Sequence, residues 1–193
     1  MTCLFTIISE YKGGTYVHQV SAAGPVDAFA VWAEQMSGDT IFTADEKTLF
    51  QEAVAYSLSE NSLVALDGLS NVWYEGFSLG DDLFEATLVA TTETTARSGM
   101  LYTVMAAYRG GTYVSQHEAP NLTQACEAWQ QYIQSGEGIP DLPLSDFNAS
   151  YRERMEDRPP TPLTGLQHAW FFSVYLNKAS VLVNVVETVP AMQ

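Results

Sequence analysis

The chain has 193 residues, 47% of them hydrophobic and 12% aromatic, enough apolar material for one or two packed domains. Eight Lys and Arg stand against 23 Asp and Glu, a net charge of −15. That balance repels a phosphate backbone and argues against nucleic-acid binding, while a charged fraction of 16% with plentiful aromatics argues against disorder.

In chain order, the N-terminus Met1-Thr2-Cys3-Leu4-Phe5-Thr6-Ile7-Ile8 lacks the basic start and the length of a signal peptide, and no apolar run reaches the ~18 residues of a membrane span. Cys3 and Cys126 match no metal or redox spacing, so reduced thiols and a cytoplasmic location are expected.

Residues Leu4 to Tyr11 are β-branched and aromatic, meet Gly13-Gly14 and return as Thr15-Tyr16-Val17-His18-Gln19. This predicts a β-hairpin, with the glycine pair supplying the positive φ angles of the turn. A helix follows: Pro25 suits its first position, Ala28, Phe29, Trp32 and Met36 form one apolar stripe, and Gly38 marks its end. Thr43 and Glu46 make a capping box for a second helix, whose inward face is read as Leu49, Phe50, Ala53 and Tyr56. A second hairpin is expected from Leu69 to Leu79 and Leu83 to Thr91 around Gly80-Asp81-Asp82.

The whole pattern then recurs 97 residues on. Tyr11-Lys12-Gly13-Gly14-Thr15-Tyr16-Val17 returns as Tyr108-Arg109-Gly110-Gly111-Thr112-Tyr113-Val114. Ala28 matches Ala125, Trp32 matches Trp129, Phe50 matches Phe147 and Trp73 matches Trp170 in the same ungapped register. In the second copy Asn121 caps a helix carrying Leu122, Ala125, Cys126, Trp129 and Ile133 that ends near Gly136. Ser145 or Asp146 is expected to cap a short further helix with Phe147 and Tyr151. Pro159, Pro160 and Pro162 are read as a stiff loop, and Leu166 to Leu176 with Val181 to Val189 as the closing hairpin. The expected fold is α+β, a tandem duplication of a β-β-α-α-β-β unit over 1–97 and 98–193 packed as an intramolecular pseudo-dimer. Residues 1–97 carry 3 basic and 14 acidic side chains, net −11, and residues 98–193 carry 5 and 9, net −4.

The hairpin Tyr11 to Gln19 with Ala28, repeated as Tyr108 to Gln116 with Ala125, resembles the N-terminal part of HicB-like antitoxins, small β-β-α-β modules. The likeness covers about a third of each copy and implies supersecondary structure. The chain lacks both the Leu-Pro-Gly-Cys-like stretch and the basic DNA-binding segment that such antitoxins carry.

Catalytic signatures are sparse. His18, His117 and His168 have no ligand spacing, no Gly-x-Ser-x-Gly elbow is present, and Cys126 falls on an apolar helix stripe. No catalytic residue, metal site or cofactor is expected. Lys12 and Arg109, set before the glycine pairs, together with Tyr16, Gln19, Tyr113 and Gln116, are candidate partner contacts. Trp73, Trp170 and Glu75 are the candidates for an aromatic pocket between the copies; Glu75, whose register partner is Phe172, is otherwise read as a solvated side chain on an open strand face. The expected function is a non-enzymatic cytosolic interaction module with an acidic surface for a basic protein, immunity- or antitoxin-like, with no nucleic-acid or membrane partner. The alternative is a small-molecule binder or enzyme using that pocket.

Overall fold

A computed structural model describes residues 2–91 and 100–189, which fall into two compact α+β units. The boundary expected at 97/98 lies outside the described residues.

In the first unit, β1 (Cys3–Tyr11) and β2 (Gly14–Ala22) form a hairpin with Tyr11 opposite Gly14. Lys12 (φ 49°) and Gly13 (φ 76°) are therefore the two turn residues, both left-handed, as the right-handed strand twist requires. Gly14 lies in the strand, because the Tyr16 ring folds back over it: a Cβ there would sit 2.5 Å from the Tyr16 hydroxyl oxygen. The expected use of both glycines for turn angles is thus corrected to one for the turn and one for ring clearance. In the second unit, β6 (Met100–Tyr108) and β7 (Gly111–Ala119) repeat this, with Arg109 and Gly110 at φ 51° and 81° and Gly111 under Tyr113.

Helices α1 (Pro25–Ser37) and α2 (Ala44–Glu60) follow β2. Pro25 opens α1, and the Thr43–Glu46 capping box opens α2. A two-residue strand β3 (Val64–Ala65) precedes β4 (Val72–Leu79) and β5 (Asp82–Thr91), which makes each unit β-β-α-α-β-β-β. The antiparallel order in this unit is β2-β1-β5-β4-β3. Alternation places Tyr11, Phe77 and Phe84 on the face that carries the helices. There they meet Trp32, Phe42 and Phe50 in a ring cluster, with Phe77 and Phe84 stacked at 5.3 Å and Phe42 and Phe50 4.8 Å apart. Each such buried ring contributes about 1.5–3 kcal/mol of transfer free energy.

The second unit places β8 (Thr161–Pro162), β9 (Ala169–Tyr175) and β10 (Ser180–Thr188) in the order β7-β6-β10-β9-β8, with α3 (Leu122–Gln134) and α4 (Leu144–Asp157). Asn121 caps α3 by accepting the Gln124 amide at 3.0 Å. Helix α4 is a full 14 residues and starts at Leu144 after Pro143 with no side-chain cap, so neither Ser145 nor Asp146 caps it. The expected proline loop contains β8, in which Pro162 pairs with Trp170 at the sheet edge, where proline is tolerated. Trp129 centres this core against Phe147, Tyr151 and Phe172. No helix among the described residues is long and apolar enough to cross a membrane.

Candidate functional site

The hairpin tips differ in their surroundings. The Lys12 ammonium lies over the Tyr11 ring, pairs with Glu46 at the start of α2, and stands 3.5 Å from Asp82. This ammonium, with the Thr43 amide, holds the Glu46 carboxyl down at about 2. Arg109 lies over Tyr108, but Pro143 and Ala179 occupy the places of Glu46 and Asp82, and Arg109 has no ion pair among the described residues.

Tyr16 and Tyr113 are half-buried over their glycines. The amide Nε2 of Gln19 donates to Thr6 Oγ1 at 2.8 Å, and Thr6 Oγ1 meets Thr91 Oγ1 at 2.5 Å. Thr91 Oγ1 itself donates to the Val89 carbonyl, so the Thr6 hydroxyl donates to Thr91 and the bonds run in one direction. The second unit repeats the chain as Gln116, Thr103, Thr188 and Val186, at 2.9, 2.6 and 3.2 Å. Thr6 and Thr103 are fully buried, so Gln19 and Gln116 anchor an interior polar ladder. The threonines escaped sequence reading because a β-branched residue in a strand carries no polar signature.

Glu75 is 7% exposed on the helix-bearing face of β4, which corrects its reading as a solvated side chain. Its carboxylate accepts from Ser62 Oγ at 2.5 Å and from the Gly76 amide at 3.2 Å. Trp73 packs on Phe5 at 6.0 Å, and Trp170 on Tyr102 at 6.4 Å in the matching place of the second unit. Beside Trp170 a polar group has no counterpart in the first unit. His168, at φ 52°, places Nδ1 3.2 Å from Glu187 Oε2, and the Glu187 side chain is 6% exposed. Burial, together with the Glu187 charge, pushes the Tyr102 hydroxyl up to about 12. Phe5, Asn71 and Ala90 stand where Tyr102, His168 and Glu187 do, so the second copy alone carries this cluster. His18 and His117 are both held below the usual histidine range by burial. No group of three or more His, Cys, Asp and Glu assembles a metal site among the described residues.

Two of the concavities among the described residues open on the second unit. One of about 440 Å³ lies between α3 and α4 over Cys126, Tyr151, Met155 and Pro160. The Cys126 thiol there is pushed up to about 12 by burial. The other, of about 390 Å³, lies between α4 and β9 and is lined by Ser150, Arg154, Arg158 and Ser173 with Glu153 and Asp157. Trp73, Glu75 and Trp170 line neither of these two.

On the first unit the prominent feature is α2. The expected inward face is corrected: Phe50, Val54 and Ser57 are buried, while Leu49 and Tyr56 are 40% and 68% exposed. Asp45, Leu49, Glu52, Tyr56 and Glu60 recur at four- and three-residue steps and line one exposed, acidic face. Six of the seven exposed large apolar side chains among the described residues belong to this unit.

No family model, no curated protein and no solved structure matches the chain.

Proposed function

We propose that the protein is a non-enzymatic cytoplasmic interaction module that presents an acidic face of its first unit to a basic protein partner, in an immunity- or antitoxin-like role. The single observation that carries the reading is the outward turn of Leu49 and Tyr56 between Asp45, Glu52 and Glu60 on α2. Exposed apolar and aromatic side chains rimmed by one sign of charge favour a protein partner of the opposite sign. The excess of acid over residues 1–97, net −11, supports the same side of the chain. The 97-residue register and the common element order support descent from a duplicated module, with an intramolecular pseudo-dimer as part of that proposal. Residues 1–97 expressed alone are then expected to dimerise or precipitate, and a soluble monomeric half by light scattering removes that part.

The test is affinity capture of the tagged protein from nuclease-treated native lysate at low salt, followed by a salt step and mass spectrometry. Screening shortens the reach of surface charge to about 8 Å at physiological ionic strength, so a partner held by this face leaves with salt. A stoichiometric basic protein in the salt step supports the reading, and an empty eluate overturns it.

A further inference from the structure

We infer that the groove between α4 and β9 binds a small zwitterion that carries a carboxylate and an ammonium group, the chemistry of a free amino acid. Ser150 and Arg154, one turn apart, share the face of α4 that lines the groove opposite Ser173 of β9, and Arg158 joins them from the residue that ends the helix. Arg154 lines the groove half-buried, and among the described residues it makes no ion pair and its Nη1 has no hydrogen-bond partner. A half-buried guanidinium left unpaired is costly to keep, and its planar fork fits a carboxylate in two parallel bonds. The Ser150 and Ser173 hydroxyls line the same space and supply further donors.

Glu153 and Asp157 decide the class of ligand. They line the same groove, so its two cations are balanced by two anions, and a multiply charged phosphate gains no net attraction there. A zwitterion satisfies both signs at once. Helix stability does not explain the set: the C-terminal end of a helix favours Arg154 and Arg158 but disfavours Glu153 and Asp157. Nor does the fold require it. At the 97-residue offset the first unit has Ala53, Ser57, Asn61 and Gly76 in place of Ser150, Arg154, Arg158 and Ser173, on the same secondary structure with no cation.

Isothermal titration calorimetry of the intact chain with each of the common free L-amino acids, with acetate, with methylammonium and with inorganic phosphate tests this. At least one amino acid is expected to bind more tightly than acetate or methylammonium, which each meet one half of the groove. Arg154→Gln is expected to weaken that binding by about tenfold or more, as is Arg154→Lys, which keeps the charge and loses the fork. Glu153→Gln with Asp157→Asn is expected to weaken the amino acid and strengthen acetate. Arg152→Gln, exposed and outside this groove, is expected to bind as the unaltered chain does. Absence of binding across the amino acids, tighter binding of phosphate than of any amino acid, or unchanged affinity in both Arg154 variants each overturns the inference.

Discussion

Replacing Thr6 by Val removes one oxygen from the middle of the buried ladder and keeps the shape of the side chain. In the unaltered chain Thr6 Oγ1 accepts from Gln19 and donates to Thr91, and its residue has no exposure. Thr6→Val breaks both bonds. Thr91 keeps its bond to the Val89 carbonyl, and half-buried Gln19 can recover a water, so the loss is two ordinary bonds rather than two orphaned groups. At about 1 kcal/mol net per bond, less the gain of a buried methyl, the expected cost is roughly 1–2 kcal/mol. In a chain of this length that corresponds to a fall in Tm of roughly 2–8 °C. The double change Thr6→Val, Thr91→Val removes both partners together and is expected to cost less than the sum of the singles by about 1 kcal/mol. Thr103→Val and Thr188→Val are expected to show the same non-additivity in the second unit. Urea unfolding of the full chain, with each transition read separately if two are seen, measures all of these. A neutral Thr6→Val, or singles that add without coupling, would refute the directional ladder.

Three further expectations concern thiols and pH. A thiol reagent is expected to label Cys3 in the native protein and both cysteines in denaturant, because Cys126 is buried with its thiol pushed up to about 12; two native labels contradict the packing of α3. His18 has its folded pKa lowered by burial from an ordinary 6.5, so its neutral form contributes stability above that value, lost as pH falls below it. His18→Phe is therefore expected to flatten the pH dependence of Tm just below 6.5, and an unchanged acid limb contradicts it. Glu46, depressed from 4.5 to about 2, contributes stability present above 4.5 and lost as pH falls toward 2. Lys12→Met should shrink that part of the acid transition, the Thr43 amide keeping the rest, and an unaltered low-pH melting curve would argue against the pair.

The hairpins and the starts of α1, α2 and α3 were legible because each carries a local signal: paired glycines, Pro25, the Thr43–Glu46 box and Asn121 all act within a few residues of where they stand. What escaped was decided by tertiary placement. Helix α2 is weakly amphipathic, with Leu49, Phe50, Ala53, Val54 and Tyr56 spread over a broad arc of about 160°, so the apolar pattern alone does not say which edge of that arc turns inward. The two-residue strands β3 and β8 are too short to show alternation. Glu75 reads as polar and therefore outward, yet Ser62 and the Gly76 amide satisfy it in a place where the second copy has Phe172. The pairing of His168 with Glu187 joins residues 19 apart through the β9–β10 register, a separation that no motif encodes.

Side-by-side capture with the unaltered chain and with Leu49→Ala, Tyr56→Ala tests the proposed interaction face most directly. Both side chains are already exposed, so the fold is expected to tolerate the change, with melting temperatures that agree. Loss of an aromatic anchor in a protein interface costs about 2 kcal/mol, close to thirtyfold in affinity. The salt-eluted basic protein is expected to fall away from the variant while remaining stoichiometric with the unaltered chain. Equal recovery from both would place the partner elsewhere and contradict the assignment of α2 as the interaction face.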